Sequence, residues 1–588
     1  MLFGIREFYG PNLLANNSGW LIETIHHDSI ISTKSRSFAE WKEWINNKFS
    51  NLQFRPDLDF AIKLAREIIS PFEIHEIPII DDKLAMQKSR LFVRSQAHDL
   101  AGRAIKVSLN IVIQGFKGKS PANYKDISKI DAAIGTLINL SKSLHSHSLT
   151  NAIVDHAFQR GLPLRYFSEN FNGCPILQIG TGTCGRLLYS SSTDKDGFIG
   201  GMVCADKGMT NHILMKLGYK TPKQAVLPIG CTVQQLLSAL STIGYPCVLK
   251  PRDAEQGRGV TARIENQSSL IKALNKAKEA ARSGLVLEQH VSGDYHRLVV
   301  LNGRLVRVRL FKPPYLIADG YHTIRKILEK ANNIDPESVN VFCYGKPPII
   351  DQNMIQHLET QGFELDSILK AGTQVELLFD LINRDNWSDV ELINKVDISL
   401  IRMSEDIAKA FGMSNMGIDV LSNDIIQPVH EQQPIIIELN AIQVLHPSAS
   451  VSMLKSMFPD HASSRIEISV TVCATQKDWP NFDQVFTSSV NSLSYTIAIP
   501  IRLKNKIDQN LISMLSKRGP LIFYNDPIKV LFNRSVEALL FLIDWQEFIH
   551  SGLPTSQIDH LNLLGKPKAS VAKRWDELMR LVPNGKFK

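Results

Sequence analysis

The sequence predicts an α/β (α+β) fold divided among several domains, and three observations lead to this prediction. Residues 152–465 alternate helix-like segments such as "NAIVDHAFQRG" with apolar extended runs such as "PIIIELN", a pattern typical of mixed helix and sheet architectures. Closely spaced extended runs, as in "RLVVLNGRLVRVRLF", indicate antiparallel hairpins. The 588 residues are also too many for one ordinary hydrophobic core.

Three segments are expected along the chain. Residues 1-150 mix short strands with helices such as "SQAHDLAGRAIKVSLNIVIQGF", and the polar "SKSLHSHSLTN" near 141–151 marks a boundary. Residues 151-465 carry the alternating helices and strands, with helices expected in "KGMTNHILMKLG" and "VQQLLSALSTIG". Residues 466-588 again show strand and helix patterns. We therefore expect domain boundaries near residues 150 and 465.

The bulk composition argues against several classes of protein. Hydrophobic residues at 44% and charged residues at 21% describe a soluble globular protein. The formal net charge of +8 is not concentrated in one basic tract, so we expect no nucleic-acid partner. Seven scattered cysteines without C-x-x-C pairs argue against a disulfide framework or a zinc site, and favour a cytoplasmic location. Apolar runs such as "ALLFLI" are too short to span a bilayer, so no membrane partner is expected.

Three polar side chains interrupt the apolar segments "GIDVL" and "PIIIELNA". Residues two apart in a strand face the same side, so Glu438 and Asn440 project together. Asp419 lies in the other segment. Because two carboxylates and an amide suit a hard cation, the three predict a Mg²⁺ site that also uses phosphate oxygens. A solvated strand end explains each segment equally well when it is taken alone, and the conjunction of the two favours the metal.

Two lysines supply the opposite charge. Lys250 follows the strand-like "YPCVL" and precedes a Gly-Arg-Gly hairpin, and Lys207 precedes the helix-like "GMTNHILMKLG". No G-x-x-x-x-G-K-[ST] pattern opens a helix here, so a phosphate contact would involve a flap between two strands. Each lysine taken alone is more often an ordinary surface residue. Downstream, "LVLEQHVSGDYHRLVV" carries Glu288, Asp294 and Arg297 on a strand, a turn and a second strand.

Together these motifs resemble those of an ATP-grasp ligase. The order "DK", "GYP-VLKP", "GRGV", "LEQHVSGDYHRLVV", "ADGYHTI", "GIDV" and "ELNA" is similar to the synthetase half of cyanophycin synthetases and of their bifunctional glutathione synthetase relatives. "IREFYGPN", "IVDHAFQRGLPLRYF" and "SMFPDHASSRIEISVTV" extend the similarity over most of the chain. The resemblance implies an ATP-grasp fold between an N-terminal α/β domain and a small C-terminal α/β domain.

The resemblance also implies roles for individual residues. Asp419, Glu438 and Asn440 would hold Mg²⁺, and Ser148 and Thr150 would contact substrate. The catalytic candidates are three arginines: Arg297, Arg307 and Arg309. The candidate ATP contacts comprise two lysines, a flap, an adenine-binding hinge and a ribose-side acid: Lys207, Lys250, Gln256, Gly257, Arg258, Gly259, Glu288, Gln289, His290, Val291 and Asp294.

The implied reaction is the activation of a carboxylate by ATP. The acid would attack the γ-phosphoryl group to give an acyl phosphate and ADP, and an amine would then displace phosphate and form an amide. The expected cofactors are ATP and Mg²⁺, and the expected substrates are amino acids or small peptides. The resemblance further implies a homodimer or homotetramer.

Several positions depart from the family pattern. Where cyanophycin synthetases have a second phosphate loop in a Mur-ligase-like domain, this chain has "ATQKDWP" at 474–480, which lacks the required glycines and Lys-Thr pair. We therefore expect one ATP site and a truncated, non-catalytic C-terminal region. The Arg-Arg pair of the family aligns with Leu310 and Phe311, and Arg307 and Arg309 lie nearby on one strand face. A glycine-containing loop of the family is replaced by "NRDNWSDV" at 383–390.

Two functions therefore stay open. The first is a ligase that joins a carboxylate to an amine, supported by the lysines and the predicted metal ligands. The second is a catalytically inactive homologue that binds nucleotide or serves in assembly, supported by the lost glycines and the lost arginine pair. His145 and His147 in "SLHSHS" are interpreted as part of a solvated linker, because no third metal ligand is nearby.

Overall fold

The chain forms two compact units, one of which is discontinuous in sequence. The first comprises residues 1–190 and 445–588, and the second comprises residues 191–444. The structure is a computed structural model. It describes residues 2–8, 19–25, 36–49, 58–70, 74–77, 88–94, 98–117, 119–145, 148–172, 174–254, 257–333, 335–343, 347–377, 388–441, 449–460, 462–473, 495–565, 575–576, 578–580 and 586–587.

The N-terminal part of the first unit combines two antiparallel sheets with five helices. Its elements are β1 (Leu2–Phe8), β2 (Gly19–Ile25), α1 (Arg36–Asn46), α2 (Leu58–Ile69), β3 (His75–Ile77), β4 (Lys88–Arg94), α3 (His98–Phe116), α4 (Ile127–His145), α5 (Ser148–Gln159), β5 (Leu164–Phe171), β6 (Cys174–Ile179) and β7 (Arg186–Tyr189). One sheet has the order β1-β2-β4-β3, and β6 pairs with both β5 and β7. Apolar residues at helical spacing, including Trp41, Ile62, Ile105 and Ile134, are buried together in one core.

Backbone hydrogen bonds tie the two sequence segments of the first unit together. The N–H of Thr181 donates to the Ser464 carbonyl at 2.9 Å, and the N–H of Thr183 donates to the Val536 carbonyl at 2.9 Å. Between them, Gly182 has a φ of +50°, and a Cβ there would lie 2.3 Å from the Val536 oxygen. Only glycine fits so close an approach in this conformation.

The second unit contains three sheets and eight helices in its described part. Its elements are β8 (Ser192–Thr193), α6 (Phe198–Cys204), α7 (Lys207–Lys216), β9 (Gln224–Leu227), α8 (Val233–Ile243), β10 (Cys247–Pro251), β11 (Thr261–Ile264), α9 (Gln267–Ala280), β12 (Leu285–Gln289), β13 (Asp294–Leu301), β14 (Arg304–Lys312), β15 (Tyr315–Ile317), α10 (Ile324–Ala331), β16 (Val341–Phe342), α11 (Gln352–Thr360), β17 (Gln374–Glu376), β18 (Ser388–Glu391), α12 (Ile398–Ala410), β19 (Met416–Ser422), α13 (Val429–Gln432) and β20 (Ile435–Asn440).

The sheets of the second unit are antiparallel and covered on one face by helices. A four-stranded sheet has the order β11-β10-β12-β9, and a five-stranded sheet has the order β18-β14-β13-β19-β20. In the five-stranded sheet, Leu298, Val308 and Ile418 are buried against Leu400 and Ile407 of α12. The third sheet, β16-β15-β17, packs with α10 and α11 in a small core of its own.

The C-terminal part of the first unit is built on a parallel sheet. Its elements are α14 (Ala449–Met457), β21 (Glu467–Cys473), β22 (Tyr495–Pro500), α15 (Gln509–Ser516), β23 (Leu521–Tyr524), α16 (Pro527–Leu531), β24 (Ala538–Asp544), α17 (Trp545–Ser551), β25 (His560–Leu564) and β26 (Lys586–Phe587). The order is β23-β22-β24-β21-β25-β26. Leu515 of α15 packs on one face of the sheet, and Val530 of α16 and Phe548 of α17 pack on the other.

The predicted α/β fold class is confirmed. The helices expected in "KGMTNHILMKLG" and "VQQLLSALSTIG" are α7 and α8, and "PIIIELN" forms β20. The domain boundaries near residues 150 and 465 stay predictions. The segment 474–480 lies outside the described residues, as does 383–387.

Candidate active site

A row of charged residues crosses one face of the five-stranded sheet. The strand register places Glu391 opposite Arg309, Arg309 opposite Arg297, Arg297 opposite Asp419, and Asp419 opposite Glu438. Directly opposite residues in antiparallel strands project to the same face. Because the other face carries the apolar core against α12, this row gathers two arginines and three acids on the face that points away from that core.

Arg297 and Asp419 form the most buried ion pair of this row. Arg297 donates from Nε and Nη2 to the two carboxylate oxygens of Asp419 at 2.6 and 2.7 Å, and Asp419 is only 1% exposed. Burial alone would lower the pKa of the guanidinium, but Asp419 raises it well above its ordinary value. Tyr295 accepts a further hydrogen bond from Arg297 at 3.2 Å. The carboxylate is thus held in one orientation.

A register shift in β20 brings the predicted metal ligands together. Asp419 pairs with Glu438 but its neighbour Val420 pairs with Ile436, so Ile437 is an additional residue on β20. Asn440 then donates from Nδ2 to Asp419 at 3.3 Å. Asp419, Glu438 and Asn440 therefore share one end of this sheet face. The third oxygen donor of this trio is an amide. The described residues contain no cluster of three or more His, Cys, Asp or Glu side chains suited to a metal.

Lys207 reaches this group of acids from the start of a helix. It is the first residue of α7, whose N-terminus is capped by the Asp206 carboxylate accepting from the Met209 N–H. Its Nζ donates to the Ala254 carbonyl at 2.5 Å and lies 3.2 Å from the Glu438 carboxylate. One lysine side chain thus connects the metal-ligand candidates to the base of the predicted flap.

Lys250 is buried in the four-stranded sheet beside an acid. Its Nζ lies 2.6 Å from the carboxylate of Glu288, and both side chains are 9% exposed. The register pairs Lys250 with Val286 and Val248 with Glu288, so the charged residues are diagonal neighbours on adjacent strands. Burying an ion pair costs desolvation energy that the attraction between the two charges barely offsets. The pair therefore indicates a functional role, because it adds little to stability.

A narrow cleft of about 10 Å³, room for about one water molecule, lies among some of these groups. Lys207, Glu288 and Glu438 line it, together with Asn211 and the apolar Leu214 and Ile437. The Asn211 side-chain oxygen is buried without a hydrogen-bond partner among the described residues, and such an atom usually has one. The cleft therefore offers two acids, a lysine and an unsatisfied acceptor to whatever enters it.

The predicted flap begins beside the cleft and turns on glycine. Gly257 and Gly259 have φ values of +68° and +73°. A Cβ at Gly259 would lie 2.7 Å from the Ala280 side chain and 2.8 Å from Pro251, so this turn needs glycine for conformation and for space. Arg258 between them is exposed, and Gln256 lies outside the described residues.

The predicted hinge leaves the end of β12. Glu288 and Gln289 are its last strand residues. The N–H of Gln289 donates to the Lys223 carbonyl at 2.8 Å, and the N–H of His290 donates to the Pro246 carbonyl at 3.0 Å. Val291 is half-buried, and burial lowers the pKa of His290.

The remaining candidates lie further from the acid trio. Asp294 is the exposed first residue of β13. Arg307 donates from Nε to Glu391 at 2.8 Å, and the Arg309 guanidinium lies 4.9 Å from the Phe311 ring. Arg309 is next to Arg297 in the row, whereas Arg307 is beside Val299.

The two substrate candidates belong to the first unit. Ser148 is the first residue of α5, and Thr150, in the same helix, is 3% exposed. Burial raises the pKa of the Cys174 thiol, and a hydrogen bond with Thr150 opposes that rise. His145 ends α4, and His147 lies outside the described residues.

Sequence reasoning missed several members of the site. Asp206 accepts a hydrogen bond from Nε of Arg252 at 2.7 Å and also caps α7. An aspartate before "KGMTNHIL" is a recognisable capping signal. Glu391 ends the charged row. No sequence signal identifies Asn211, because its importance depends on burial.

Comparison with known proteins finds relatives by sequence, although no family model matches the chain. The cyanophycin synthetase of Trichormus variabilis is 27% identical over 389 residues, which cover 64% of this chain and 41% of that protein. The chain is similar to cyanophycin synthetases. The cyanophycin synthetase of Crocosphaera subtropica is 28% identical over 397 residues, covering 64% of this chain and 43% of that protein. The chain thus spans less than half the length of these curated relatives.

Other matches are more distant. The glutathione biosynthesis bifunctional protein of Streptococcus agalactiae is 24% identical over 290 residues, covering 46% of this chain and 37% of that protein. The solved bifunctional glutathione synthetase from Pasteurella multocida gives a TM-score of 0.38 at 18% identity, covering 61% of this chain and 51% of that one. The predicted resemblance to cyanophycin synthetases is confirmed by the sequence alignments. Among the described helices, none has both the length and the apolar character that crossing a membrane requires.

Proposed function

We propose that this chain is an ATP-dependent carboxylate–amine ligase that forms peptide or isopeptide bonds through an acyl phosphate. The observation that carries the proposal is the 3.2 Å approach of Lys207 to Glu438 across a cleft that Glu288 also lines. An anionic nucleotide needs cations for its phosphates and oxygen ligands for its metal in one place. The sequence similarity to cyanophycin synthetases supports the same reaction class.

The oxygen donors at the cleft fit Mg²⁺. Asp419, Glu438 and Asn440 supply two carboxylates and one amide from neighbouring strands, which is the hard-ligand set that Mg²⁺ shares with phosphate oxygens. Lys207 would exchange its contact with Glu438 for a phosphate. When bound, the ion would neutralise charge on the β- and γ-phosphates during transfer.

The lysines and arginines have separable tasks in this proposal. Lys250 and Lys207 would contact phosphate oxygens, each giving up a carboxylate partner. Arg297 keeps the Asp419 carboxylate oriented. Arg309, the neighbouring arginine in the row, would face the transferring phosphoryl group. Such charge neutralisation is the main contribution a protein makes to phosphoryl transfer.

The proposed reaction needs no nucleophile from the protein. A carboxylate oxygen of the first substrate attacks the γ-phosphorus, the bond to the ADP oxygen breaks, and an acyl phosphate forms. The amine of the second substrate attacks the acyl carbon, phosphate leaves, and one proton of the amine is released. A flap turning on Gly257 and Gly259 would exclude water, which would otherwise hydrolyse the acyl phosphate.

The substrates and setting belong to the same proposal. We infer amino acids or small peptides as the acid and the amine, and the lack of a candidate second phosphate loop in "ATQKDWP" favours single ligation steps. The seven scattered cysteines without C-x-x-C pairs are the basis on which we infer a reducing cytoplasm. The expected homodimer or homotetramer is tested by light scattering.

A second candidate function has one observation in its favour. Arg297 occupies both carboxylate oxygens of Asp419, as it would in a nucleotide-binding homologue that has lost catalysis. Incubation with ATP, Mg²⁺ and pooled amino acids and dipeptides separates the two functions. The ligase releases phosphate and forms amides visible by mass spectrometry, while a binding protein gives neither.

A site variant and a matched surface variant test whether the reaction takes place at this cleft. Glu438→Gln is expected to lower substrate-dependent phosphate release about 100-fold, since it removes one metal ligand charge. Glu279→Gln, at an exposed position of α9, controls for surface charge and keeps full activity. Release that survives Glu438→Gln would place the reaction elsewhere.

A further inference from the structure

The parallel sheet of residues 467–587 has a cavity of about 160 Å³ at the carboxyl ends of its strands. Its walls come from the residues that follow β22, from the end of β23, and from β24 with its helix α17, including Ile501, Tyr524, Ile543 and His550. Cavities at this edge are where open parallel sheets bind ligands.

This cavity forms because the chain leaves neighbouring strands toward opposite faces of the sheet. The helix after β22, α15, packs on one face of the sheet. The helices after β23 and β24 pack on the opposite face. Since β22 lies between β23 and β24, the chain leaves neighbouring strand ends in opposite directions. A crevice between such ends is a general consequence of this topology.

The polar side of the cavity holds one cation between two acids. Arg502 donates from Nη2 to Asp544 at 2.8 Å and from Nε to Glu547 Oε2. Its third nitrogen, Nη1, has no hydrogen-bond partner among the described residues, and Glu547 Oε1 likewise has none there. An unused donor and an unused acceptor therefore stand side by side in the cavity wall.

Phosphate is a poor ligand for this cavity. The N-terminus of α16 is capped by Asp526, which accepts from the Ile528 N–H at 2.9 Å. The N-terminus of α17 is capped by Asp544, which accepts from the Glu547 N–H at 2.7 Å. Both helix starts therefore present carboxylates where a phosphate site presents free N–H groups. No lysine lines the cavity.

The opposite side of the cavity is apolar. Pro500, Ile501, Pro527, Ile543 and Pro554 line it, and Pro527 and Pro554 are buried. A ligand that fits has an ammonium group for Glu547, a carboxylate for Arg502, and a hydrocarbon part for this wall. Adjacent opposite charges with an apolar neighbour are the chemistry that recognises a free amino acid.

We propose that this cavity binds a zwitterionic amino acid with an apolar side chain. The ligand carboxylate bonds to Nη1 of Arg502, and the ligand ammonium group bonds to Glu547 Oε1. The site belongs to the first unit and is separate from the lysine and carboxylate cleft of the second. It therefore gives the C-terminal region a binding site for a free amino acid, whether or not the proposed ligase reaction holds.

Calorimetric titration of the full chain with L-leucine, without ATP, tests the site. Saturable binding of about one equivalent is expected. Leucine methyl ester and N-acetyl-leucine each remove one charge, so each is expected to bind at least about 10-fold more weakly. Inorganic phosphate at the same concentration does not compete.

Variants test whether leucine binds in this cavity. Arg502→Met and Asn525→Trp are each expected to weaken leucine binding at least about 10-fold; Asn525 lines the cavity, and its replacement leaves the Arg502 ion pairs intact. Gln546→Trp, exposed on α17 and outside the lining, keeps full affinity. Glu438→Gln also keeps it, because Glu438 lines the cleft of the second unit and not this cavity.

Three results would overturn the proposal. The first is the absence of binding for leucine, isoleucine, valine, methionine and phenylalanine alike. The second is leucine binding that persists unchanged in Asn525→Trp. The third is competition by inorganic phosphate, which would identify an anion site.

Discussion

Two arginines of this chain are each held by acids, in opposite settings. Arg297 lies in the middle of an antiparallel sheet, bound to an Asp419 carboxylate that is 1% exposed. Arg502 lies beyond the end of a parallel strand, with a side chain 39% exposed, and binds two acids that belong to a helix start.

The difference shows that the position of a charged residue along its strand determines whether its partners are fixed or remain available to a ligand. In the middle of a strand, neighbouring strands fix both partners, so the pair can hold an acid in one orientation. At a strand end, water competes and the same pairing is weak. The Arg502–Glu547 pair instead keeps one donor and one acceptor available to a ligand.

The largest expected effect contrasts the two acids directly. Asp419→Asn leaves a buried arginine without a counter-charge and is expected to destabilise the second unit by about 3 kcal/mol. Asp544→Asn keeps a good helix cap and loses only a partly exposed ion pair, so its expected cost is under about 1 kcal/mol. Hydrogen exchange of the β19 and α17 amides measures each unit separately. Equal costs would contradict the comparison.

The second prediction concerns the buried pair Lys250–Glu288. Lys250→Met removes one partner and is expected to cost about 3 kcal/mol by the same measurement, because Glu288 stays buried and charged. Adding Glu288→Leu is expected to recover most of that loss while phosphate release stays abolished. A double variant that is no more stable than the single one would show that the two side chains are not coupled.

A third, smaller effect tests the base of the flap. Gly259→Ala combines a left-handed conformation with overlap against Pro251 and Ala280, and its expected cost is about 2 kcal/mol. Gly218→Ala is the matched control, since Gly218 has a φ of +86° and nothing within 4 Å of the added methyl. Thermal unfolding of both variants separates the cost of steric overlap from the cost of backbone strain. Equal decreases in Tm would exclude a packing role for Gly259.

The effect that is smallest at neutral pH is a pH dependence at the cleft. Burial raises the pKa of the Cys204 thiol to about 12 from its ordinary 9.0. Its contribution to stability is present below pH 9, where both states are protonated, and is lost as the pH rises toward 12. Cys204→Ala is therefore expected to flatten the fall in unfolding free energy between pH 9 and 11 by up to about 1.4 kcal/mol per pH unit. Urea titrations at pH 8, 9, 10 and 11 measure the slope, and identical slopes would refute the shift.

Much of the fold was predictable because periodicity is a local property. Alternation in "PIIIELN" predicted that Glu438 and Asn440 face one side, and the register shift preserves that arrangement. Helical spacing predicted α7 and α8. Each of these inferences needs only neighbouring residues.

The partners of these residues were not predictable, because pairing depends on distant strands. Lys250 and Glu288 are 38 positions apart in the sequence, and their contact exists only in the register between β10 and β12. Arg297 reaches Asp419 across 122 positions. The cavity near Arg502 has no motif, since it arises from the order of strands and not from any short pattern.

The hydrogen bonds from Thr181 and Thr183 to Ser464 and Val536 have a consequence for biosynthesis. On a ribosome that adds about 5–20 residues per second, Thr181 waits for roughly 280 further residues before Ser464 is made, and Thr183 waits for roughly 350 before Val536 is made. The second unit, which is contiguous, can finish folding during that interval. Nascent-chain arrest after residue 444 should therefore yield a protease-resistant insert attached to an unfinished amino-terminal half.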